Sequence, residues 1–206
     1  MIKKLLFIIP LFFIACSSKK LAKSEKLTAL NWHYKIYKDI QNMNLDRADD
    51  DFLSLEAQHP SSIYIKTDLI NLFLAHQEQY EYDLSLFYLN QYEQRYSSFR
   101  EIPWIEYQKI KLTFIKYSNP YTNQQAILNL ITMCNNYLAK YPDSQFAAEV
   151  STILAKAELT NKYFDAEISR LYKKLGKEKA SEKYKTNIPK NSKPPVIPWY
   201  KKLFYW

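Results

Sequence analysis

Apolar residues recur every three or four positions along most of the chain, which is the spacing of one face of an α-helix. The first two stripes contain Trp32, Ile36, Tyr37 and Ile40 in residues 31–41, and then Leu45, Ala48, Phe52 and Leu55. Further helices are predicted over residues 62–79, 82–96, 102–117, 122–141, 144–161 and 163 to about 185. The pattern therefore predicts eight helices in about four antiparallel pairs.

Four residues of the first pair match the roughly 34-residue tetratricopeptide repeat in type and spacing. They are Trp32, Ala48, Phe52 and Pro60. The small residue lets two helices approach, the aromatic ring fills the space between them, and the proline ends the second helix. The terminators at 60, 97 and 142 are unevenly spaced, so an irregular bundle is the alternative. We predict an all-α, divergent tetratricopeptide-like helical-hairpin solenoid over residues 31–176.

The chain contains one glycine, Gly176. Phosphate-binding loops, the dinucleotide-binding fingerprint and the nucleophile elbow need glycines, because the backbone there turns sharply or approaches a ligand closely. The composition excludes these motifs. All-β folds also need many turns with positive φ, which glycine usually supplies, so the same composition favours helices.

The net charge of +8 is unevenly distributed along the chain. Residues 1–26 and 173–206 are basic, whereas residues 27–172 contain 13 basic and 18 acidic residues. The predicted helical body is therefore acidic and lacks the basic surface that binding to a phosphate backbone requires. We expect no nucleic-acid partner, although the basic ends suit anionic lipid or an acidic partner.

The N-terminus has the organisation of a secretory signal, with Lys3 and Lys4 before an apolar run over residues 5–15. This run is too short for a transmembrane helix, which needs about 20 apolar residues. We predict that residues 1–15 are a signal peptide. An ordinary signal followed by an incidental cysteine is the alternative to a lipoprotein signal.

The sequence Phe13-Ile14-Ala15-Cys16 resembles a bacterial lipobox. The resemblance implies that cleavage exposes Cys16, which carries a diacyl group on sulfur and a third acyl chain on its new amino group. Three acyl chains anchor a protein stably, since each buried methylene contributes about 0.8 kcal/mol. Residues 16–30 have little periodicity and are predicted to be a lipidated, flexible tether. Ser17 resembles an outer-membrane sorting signal.

Candidate catalytic and metal-binding residues are few. His33, His59 and His76 lie too far apart in sequence for a two-histidine helical metal motif. The aspartates at 49–51 point in different directions on a helix and are interpreted as a solvated first turn. Cys134 lies in an apolar stretch and is predicted to be a buried hydrophobic residue. We expect no catalytic residue, metal, cofactor or enzymatic activity.

Aromatic residues are concentrated in the second predicted helix pair, beyond what one core face usually holds. The candidate peptide-binding or partner-binding residues are Tyr64, Phe73, Tyr80, Tyr88 and Tyr92. Solvent-facing tyrosines on a concave repeat surface would hold an extended apolar peptide. Packing between helices is the alternative role for each of them.

The C-terminal residues 177–206 form a basic tail rich in proline and aromatic residues. A proline-rich stretch over 194–198 is extended and stiff by composition, and it precedes five aromatic residues among the last eight. Exposing these rings to water is costly, so we expect them to dock on a partner, the body or a lipid interface. The candidate docking residues are Trp199, Tyr200, Phe204 and Trp206.

Three segments, together with the lipobox and the repeats, make the chain similar to the BamD family of outer-membrane β-barrel assembly lipoproteins. They are residues 45–96, which end in EYDLSLFYLNQYEQRY; the stretch Ile102-Pro103-Trp104-Ile105-Glu106-Tyr107; and Tyr141-Pro142-Asp143-Ser144-Gln145-Phe146 followed by residues 159–176. The resemblance covers residues 30–176.

This resemblance implies an outer-membrane, lipid-anchored scaffold that faces the periplasm and assists the insertion and folding of outer membrane proteins. The implied partners are the periplasmic domains of a BamA-like barrel-forming subunit and unfolded outer membrane proteins. In the family, N-terminal repeats receive substrate and C-terminal repeats dock the scaffold. The tail here replaces a final repeat of many relatives and is a candidate for that docking. Among family motif residues, only Cys16 carries over as a modified site.

Two other functions are compatible with parts of the sequence. One is a different repeat lipoprotein of the envelope, such as a coordinator of peptidoglycan synthesis, which a coiled-coil N-terminal region would favour. The other is an enzyme such as a wall hydrolase, which would need a paired acid and nucleophile. The sequence contains neither feature.

Overall fold

The computed structural model describes residues 27–116 and 124–189, and all regular secondary structure in these ranges is helical. The helices are α1 (Ala29–Gln41), α2 (Leu45–Gln58), α3 (Tyr64–Glu78), α4 (Tyr82–Tyr96), α5 (Ile102–Lys116), α6 (Gln124–Lys140), α7 (Ala147–Lys174) and α8 (Glu178–Lys183). None of these helices is both long enough and apolar enough to cross a bilayer. The predicted signal peptide, the lipidation residue Cys16 and the tail residues Trp199, Tyr200, Phe204 and Trp206 lie outside the described residues.

Consecutive helices pack against each other along the chain, and α1 also packs against α3, as α5 does against α7. Odd-numbered helices are therefore neighbours in one layer, and the even-numbered helices pair with them. This is the arrangement of helical hairpins stacked into a solenoid. The predicted all-α, tetratricopeptide-like fold is confirmed.

The repeat residues of the first hairpin are buried where the repeat pattern places them. Trp32, Ala48 and Phe52 are all part of one hydrophobic core. Their counterparts in the second hairpin, Ser85 and Leu89, are also fully buried, and the Ser85 hydroxyl donates a hydrogen bond to the Phe73 carbonyl oxygen at 2.8 Å. The hydroxyl is thereby satisfied at a position where only a small side chain fits.

Two hydrophobic cores are present within the described residues, and α5 contributes to both. Ile105 and Leu112 pack into the core formed with α1 to α4, whereas Tyr107 and Ile110 pack into the core formed with α6 and α7. The two sets of side chains leave α5 on different faces, so this helix couples the N-terminal hairpins to the C-terminal one.

The predicted helix boundary between residues 161 and 163 is wrong, because α7 runs without interruption from Ala147 to Lys174. The pattern predicts a helix end at Asn161. Its side-chain amide instead donates to Asp165 one turn later at 3.3 Å and its oxygen accepts from Gln124 of α6. Tyr163 is buried against neighbouring helices. Contacts with other side chains thus keep this segment helical although its intrinsic helix propensity is weak.

Helix α7 ends at Lys174 and is followed, after the cap residue Leu175, by Gly176, which has a φ of 67°. The backbone amides of Gly176 and Lys177 bond to the carbonyls of Lys173 and Tyr172, at 3.1 and 2.9 Å, so this end is a Schellman motif. The short helix α8 then packs on α7, with Tyr184 stacked on Tyr172. The packed helical region consequently extends past residue 176, where we placed the end of the helical domain.

Candidate partner-binding surface

Three of the five aromatic candidates do not line an open surface. Phe73, Tyr88 and Tyr92 are all less than 5% exposed and belong to the first core. Phe73 meets the ring of Trp104 edge-on, with centroids 6.0 Å apart, and Tyr88 meets Phe52 in the same way at 5.7 Å. Packing between helices accounts for these rings, so we withdraw them as peptide-binding residues.

The two buried tyrosines are held by carboxylates from other segments. The Tyr88 hydroxyl donates to Asp49 at 2.6 Å, and the Tyr92 hydroxyl donates to Glu101 at 2.5 Å. Burial and the bond to Glu101 raise the pKa of Tyr92 to about 12. Each hydroxyl is a satisfied structural group and is not available to a ligand.

The interpretation of residues 49–51 as a solvated first turn is wrong for two of the three aspartates. Asp49 accepts hydrogen bonds from Tyr88 and from the buried ring of His76, the latter at 3.0 Å. Asp51 is buried and accepts from Lys35 at 3.2 Å. Only Asp50 is exposed. The partners come from α1, α3 and α4, and local spacing along α2 cannot reveal them.

The remaining two candidates have different environments. Tyr64 is half-buried and stacks on the ring of His33, with centroids 4.7 Å apart. Tyr80 is 78% exposed in the turn between α3 and α4, where its φ is 64°. Tyr80 is therefore accessible to a partner, and Tyr64 is only partly accessible.

Helix α1 carries an exposed apolar stripe on the side opposite its core residues. Leu30, Tyr34 and Tyr37 are 55%, 65% and 50% exposed, whereas Trp32 and Ile36 are buried. The spacing of 30, 34 and 37 is that of a single helix face. Our assignment of Tyr37 to the same stripe as Trp32 and Ile36 is thus wrong, because Tyr37 is exposed on a different face of the helix.

The stripe extends onto α3, which packs beside α1. Leu74 is 45% exposed and follows Tyr37 by 37 residues, the spacing that also separates Ala48 from Ser85. Equivalent repeat positions therefore present apolar side chains on the same layer. We call the set Leu30, Tyr34, Tyr37 and Leu74 the α1–α3 face.

A contact between a histidine and a buried aspartate joins α1 to α3. His33 Nδ1 and Asp68 Oδ1 lie 2.6 Å apart, and the Asp68 side chain is fully buried. Burial raises the pKa of Asp68, while the charge and hydrogen bond of His33 oppose that rise. A pair of this kind holds two helices in one register, because removing either partner leaves a buried polar group unpaired.

A second concave surface lies between two turns that connect consecutive hairpins. We call it the turn groove. It has a volume of about 480 Å³ and is lined by Arg100, Pro103 and Trp104 on one side and by residues 140–146 on the other. These two segments carry the motifs Ile102-Pro103-Trp104 and Tyr141-Pro142-Asp143-Ser144, which lie about 40 residues apart in sequence. The structure brings them together.

The walls of the turn groove are fixed by contacts with the body. Phe146 stacks on Tyr107 with centroids 4.5 Å apart. Glu106 accepts hydrogen bonds from Lys140 at 2.8 Å and from the Tyr141 hydroxyl at 3.1 Å. The groove therefore has a formed shape with aromatic walls and charged edges, which suits an extended apolar segment better than a small polar substrate.

The groups first considered for chemistry are occupied by structural contacts. His59 Nε2 lies 2.8 Å from the Leu27 carbonyl oxygen, and His76 lies between Asp49 and Glu81. Cys134 is fully buried, and burial raises the pKa of its thiol to about 11. Across 27–116 and 124–189, no three histidine, cysteine or carboxylate side chains gather closely enough to bind a metal ion.

One signal in the sequence points to the α1–α3 face, namely the repeat register of α1. Once Trp32 is taken as the buried repeat position, residues 30, 34 and 37 lie on the opposite side of the same helix. Counting aromatic residues per hairpin instead directs attention to α4, where Tyr88 and Tyr92 are buried. The repeat register is therefore the better guide to exposure.

The chain resembles known proteins along nearly its whole length. The YfiO family model, described as an outer membrane lipoprotein, matches residues 27–184. The chain is also similar to the outer membrane protein assembly factor BamD of Helicobacter pylori, with 27% identity over 198 residues, covering 93% of this chain and 90% of that relative. The family match spans all eight helices from α1 to α8.

Proposed function

Because the chain belongs to the YfiO family of outer membrane lipoproteins, we propose that it is a scaffold of the β-barrel assembly machine that assists the insertion and folding of outer membrane proteins. The observation that carries this proposal is the family match over residues 27–184, together with a relative named as an outer membrane protein assembly factor. The scaffold acts by binding polypeptides and performs no chemical step.

Anchoring and orientation are part of the same proposal. Cys16 is lipidated in the outer membrane, and the helical body faces the periplasm. There it binds the periplasmic domains of a BamA-like barrel-forming subunit. A lipoprotein family and the lipobox at residues 13–16 support the anchor.

The α1–α3 face is the proposed contact for unfolded outer membrane proteins. Such chains expose alternating apolar side chains before they fold, and these side chains can be buried against an exposed apolar stripe without a specific sequence. Tyr34 and Tyr37 offer large rings with few rotatable bonds, which lose little entropy on binding. Leu74 of the second hairpin is exposed at the equivalent repeat position and would extend the contact from α1 to α3.

A binding measurement tests the role of this face. The lipidated chain in detergent is titrated with a fluorescent outer membrane β-barrel polypeptide diluted from urea. The double substitution of Tyr34→Ser and Tyr37→Ser weakens binding at least about tenfold, because each central tyrosine contributes more than about 1 kcal/mol. The matched control is Leu53→Ser, an equally exposed residue on α2. Equal affinities for all three proteins would refute the assignment of the face.

The assembly-machine function has a separate test. The native lipoprotein is isolated from gently solubilised outer membranes, and its stoichiometric partners are identified by mass spectrometry. Recovery of an integral β-barrel protein with periplasmic domains supports the proposal. Recovery of peptidoglycan synthases instead would replace it with the coordinator function. The mass of the mature N-terminal peptide shows in the same sample whether Cys16 carries acyl chains.

A further inference from the structure

The turn groove is not used by the proposed binding of unfolded chains, because it is formed by the α4–α5 and α6–α7 turns. Its walls include the half-buried rings of Trp104, Tyr141 and Phe146. Phe99, in the turn beside it, is 92% exposed. Aromatic surface of this extent at a formed groove indicates an occupant with apolar side chains.

The chain itself contains a segment of matching chemistry. Residues 199–206 read WYKKLFYW, with five aromatic residues and two lysines. Rings of this kind pack against aromatic walls in stacked or edge-on geometry. The guanidinium of Arg100, exposed at the groove, offers a further contact over a ring face.

The groove is lined by two cations, Arg100 and Lys140, and by the carboxylate of Asp143; Lys140 is already paired with Glu106, which leaves Asp143 as the partner for a lysine of the segment. Asp143 is exposed at the groove, and no cation among the described residues forms an ion pair with it. Residues 27–172 carry a net negative charge, whereas residues 190–206 contain four lysines and no acidic residue. Lys201 and Lys202 lie between the aromatic residues and are suited to pair with Asp143.

The chain beyond the described residues is long enough to bring its end to the groove. Tyr184 stacks on Tyr172, and the groove lies at the other end of α7, beside Phe146, about 39 Å away along the helix axis. The 17 residues from 190 to 206, which follow the last described residue, span up to about 56 Å when extended. The prolines at 194, 195 and 198 favour an extended backbone, which suits a spacer across this distance.

We propose that the turn groove is the docking site of the chain's own C-terminal aromatic segment, residues 199–206. Docking places the rings against Trp104, Tyr141 and Phe146 and the lysines beside Asp143. It covers the apolar surface of the groove, and a partner that binds there competes with the segment. This docking depends neither on the lipid anchor nor on the α1–α3 face.

Disulfide trapping in the full lipidated chain tests the proposal. Gln145→Cys places a thiol at the exposed edge of the groove, and Tyr205→Cys places one in the segment. The matched control pairs Tyr205→Cys with Asp50→Cys on the exposed side of α2. Cys134 does not interfere, because it is fully buried. Mild oxidation of dilute protein in detergent is followed by peptide mass spectrometry.

The intramolecular 145–205 disulfide is expected to form at least tenfold faster than the 50–205 disulfide. Adding Asp143→Lys to the first pair is expected to slow trapping severalfold, while the thermal unfolding midpoint and helix content remain those of the parent. Equal trapping rates for the two pairs, or disulfides only between molecules, would overturn the proposal. If Asp143→Lys does not change the trapping rate, the proposed ion pair with Asp143 is wrong and docking rests on the aromatic contacts alone.

Discussion

The imidazole of His76 connects three segments of the first core through polar contacts. Its Nδ1 lies 2.6 Å from Glu81 before α4, and its Nε2 lies 3.0 Å from Asp49 of α2. Burial disfavours the charged ring, but the hydrogen bonds to Asp49 and Glu81 outweigh burial, so the pKa of His76 is raised above 6.5. The doubly protonated ring donates to both carboxylates and therefore stabilises the fold.

This environment predicts a pH dependence of stability. A histidine with a raised folded-state pKa contributes stability that is fully present below about pH 6.5 and is lost as the pH rises through the folded pKa. We expect the difference in unfolding free energy between the parent and His76→Gln to be larger near pH 6 than near pH 8.5. Urea unfolding followed by circular dichroism measures it. His59→Gln serves as control, and a pH-independent difference would contradict the prediction.

Removing single hydroxyl groups distinguishes buried from exposed tyrosines. Tyr88→Phe leaves Asp49 without one of its donors in a largely buried site, and we expect a loss of about 1–3 kcal/mol in unfolding free energy. Tyr34→Phe is expected to change stability by less than about 0.5 kcal/mol, because that ring is exposed. The measurement is urea unfolding at neutral pH. Comparable losses for both variants would contradict the burial assignment.

At the scale of helices, α7 illustrates how packing overrides local pattern. Lys162 is exposed in the middle of this helix, at the boundary that the pattern wrongly predicts. Proline there removes an internal hydrogen bond and clashes with the preceding turn, so Lys162→Pro is expected to cost about 3 kcal/mol or more. Lys162→Ala is the control and should be nearly neutral. A small effect of the proline in thermal unfolding would mean that the helix is broken there.

The ends of α1 and α3 contain an unusual residue in a common motif. Met43 and Tyr80 have φ values of 56° and 64°, and each occupies the Schellman position that Gly176 occupies after α7. A left-handed conformation costs a non-glycine residue about 1–2 kcal/mol, part of which glycine's larger unfolded-state entropy offsets. Tyr80→Gly is therefore expected to stabilise the protein by about 0.5–1 kcal/mol in urea unfolding. Destabilisation by Tyr80→Gly would show that the ring itself contributes to the fold.

Helix existence could be predicted from the sequence because it depends on apolar periodicity, and α1 to α6 lie close to the predicted ranges. The end at residue 161 was wrong because Gln124 of α6 bonds to Asn161 from outside the local window. The aromatic site was also misassigned. Tyr88 and its acceptor Asp49 are 39 residues apart, so composition alone could not show that the ring is buried.

At the scale of the whole molecule, stability is expected to divide at α5. Tyr92 to Glu101 and Phe73 to Trp104 are contacts between the second hairpin and the start of the α5 region. On its other side, Tyr107 stacks on Phe146 before α7. Within the described residues, α6 and α7 pack against α5 and not appreciably against α1 to α4, so the solenoid resembles a chain of nearest-neighbour units whose stabilities are coupled through one helix.

Hydrogen exchange of core variants tests this division. Leu130→Ala removes a buried side chain from the second core and is expected to cost about 2–5 kcal/mol. Amide exchange should then accelerate in α6 and α7, change partly in α5, and stay close to the parent rate in α1 and α2. Leu72→Ala in the first core is the matched variant and should produce the reverse pattern. If exchange accelerates equally in all helices of both variants, the two cores unfold as one cooperative unit and the prediction is wrong. Two cores that open separately would each expose only their own amides to exchange.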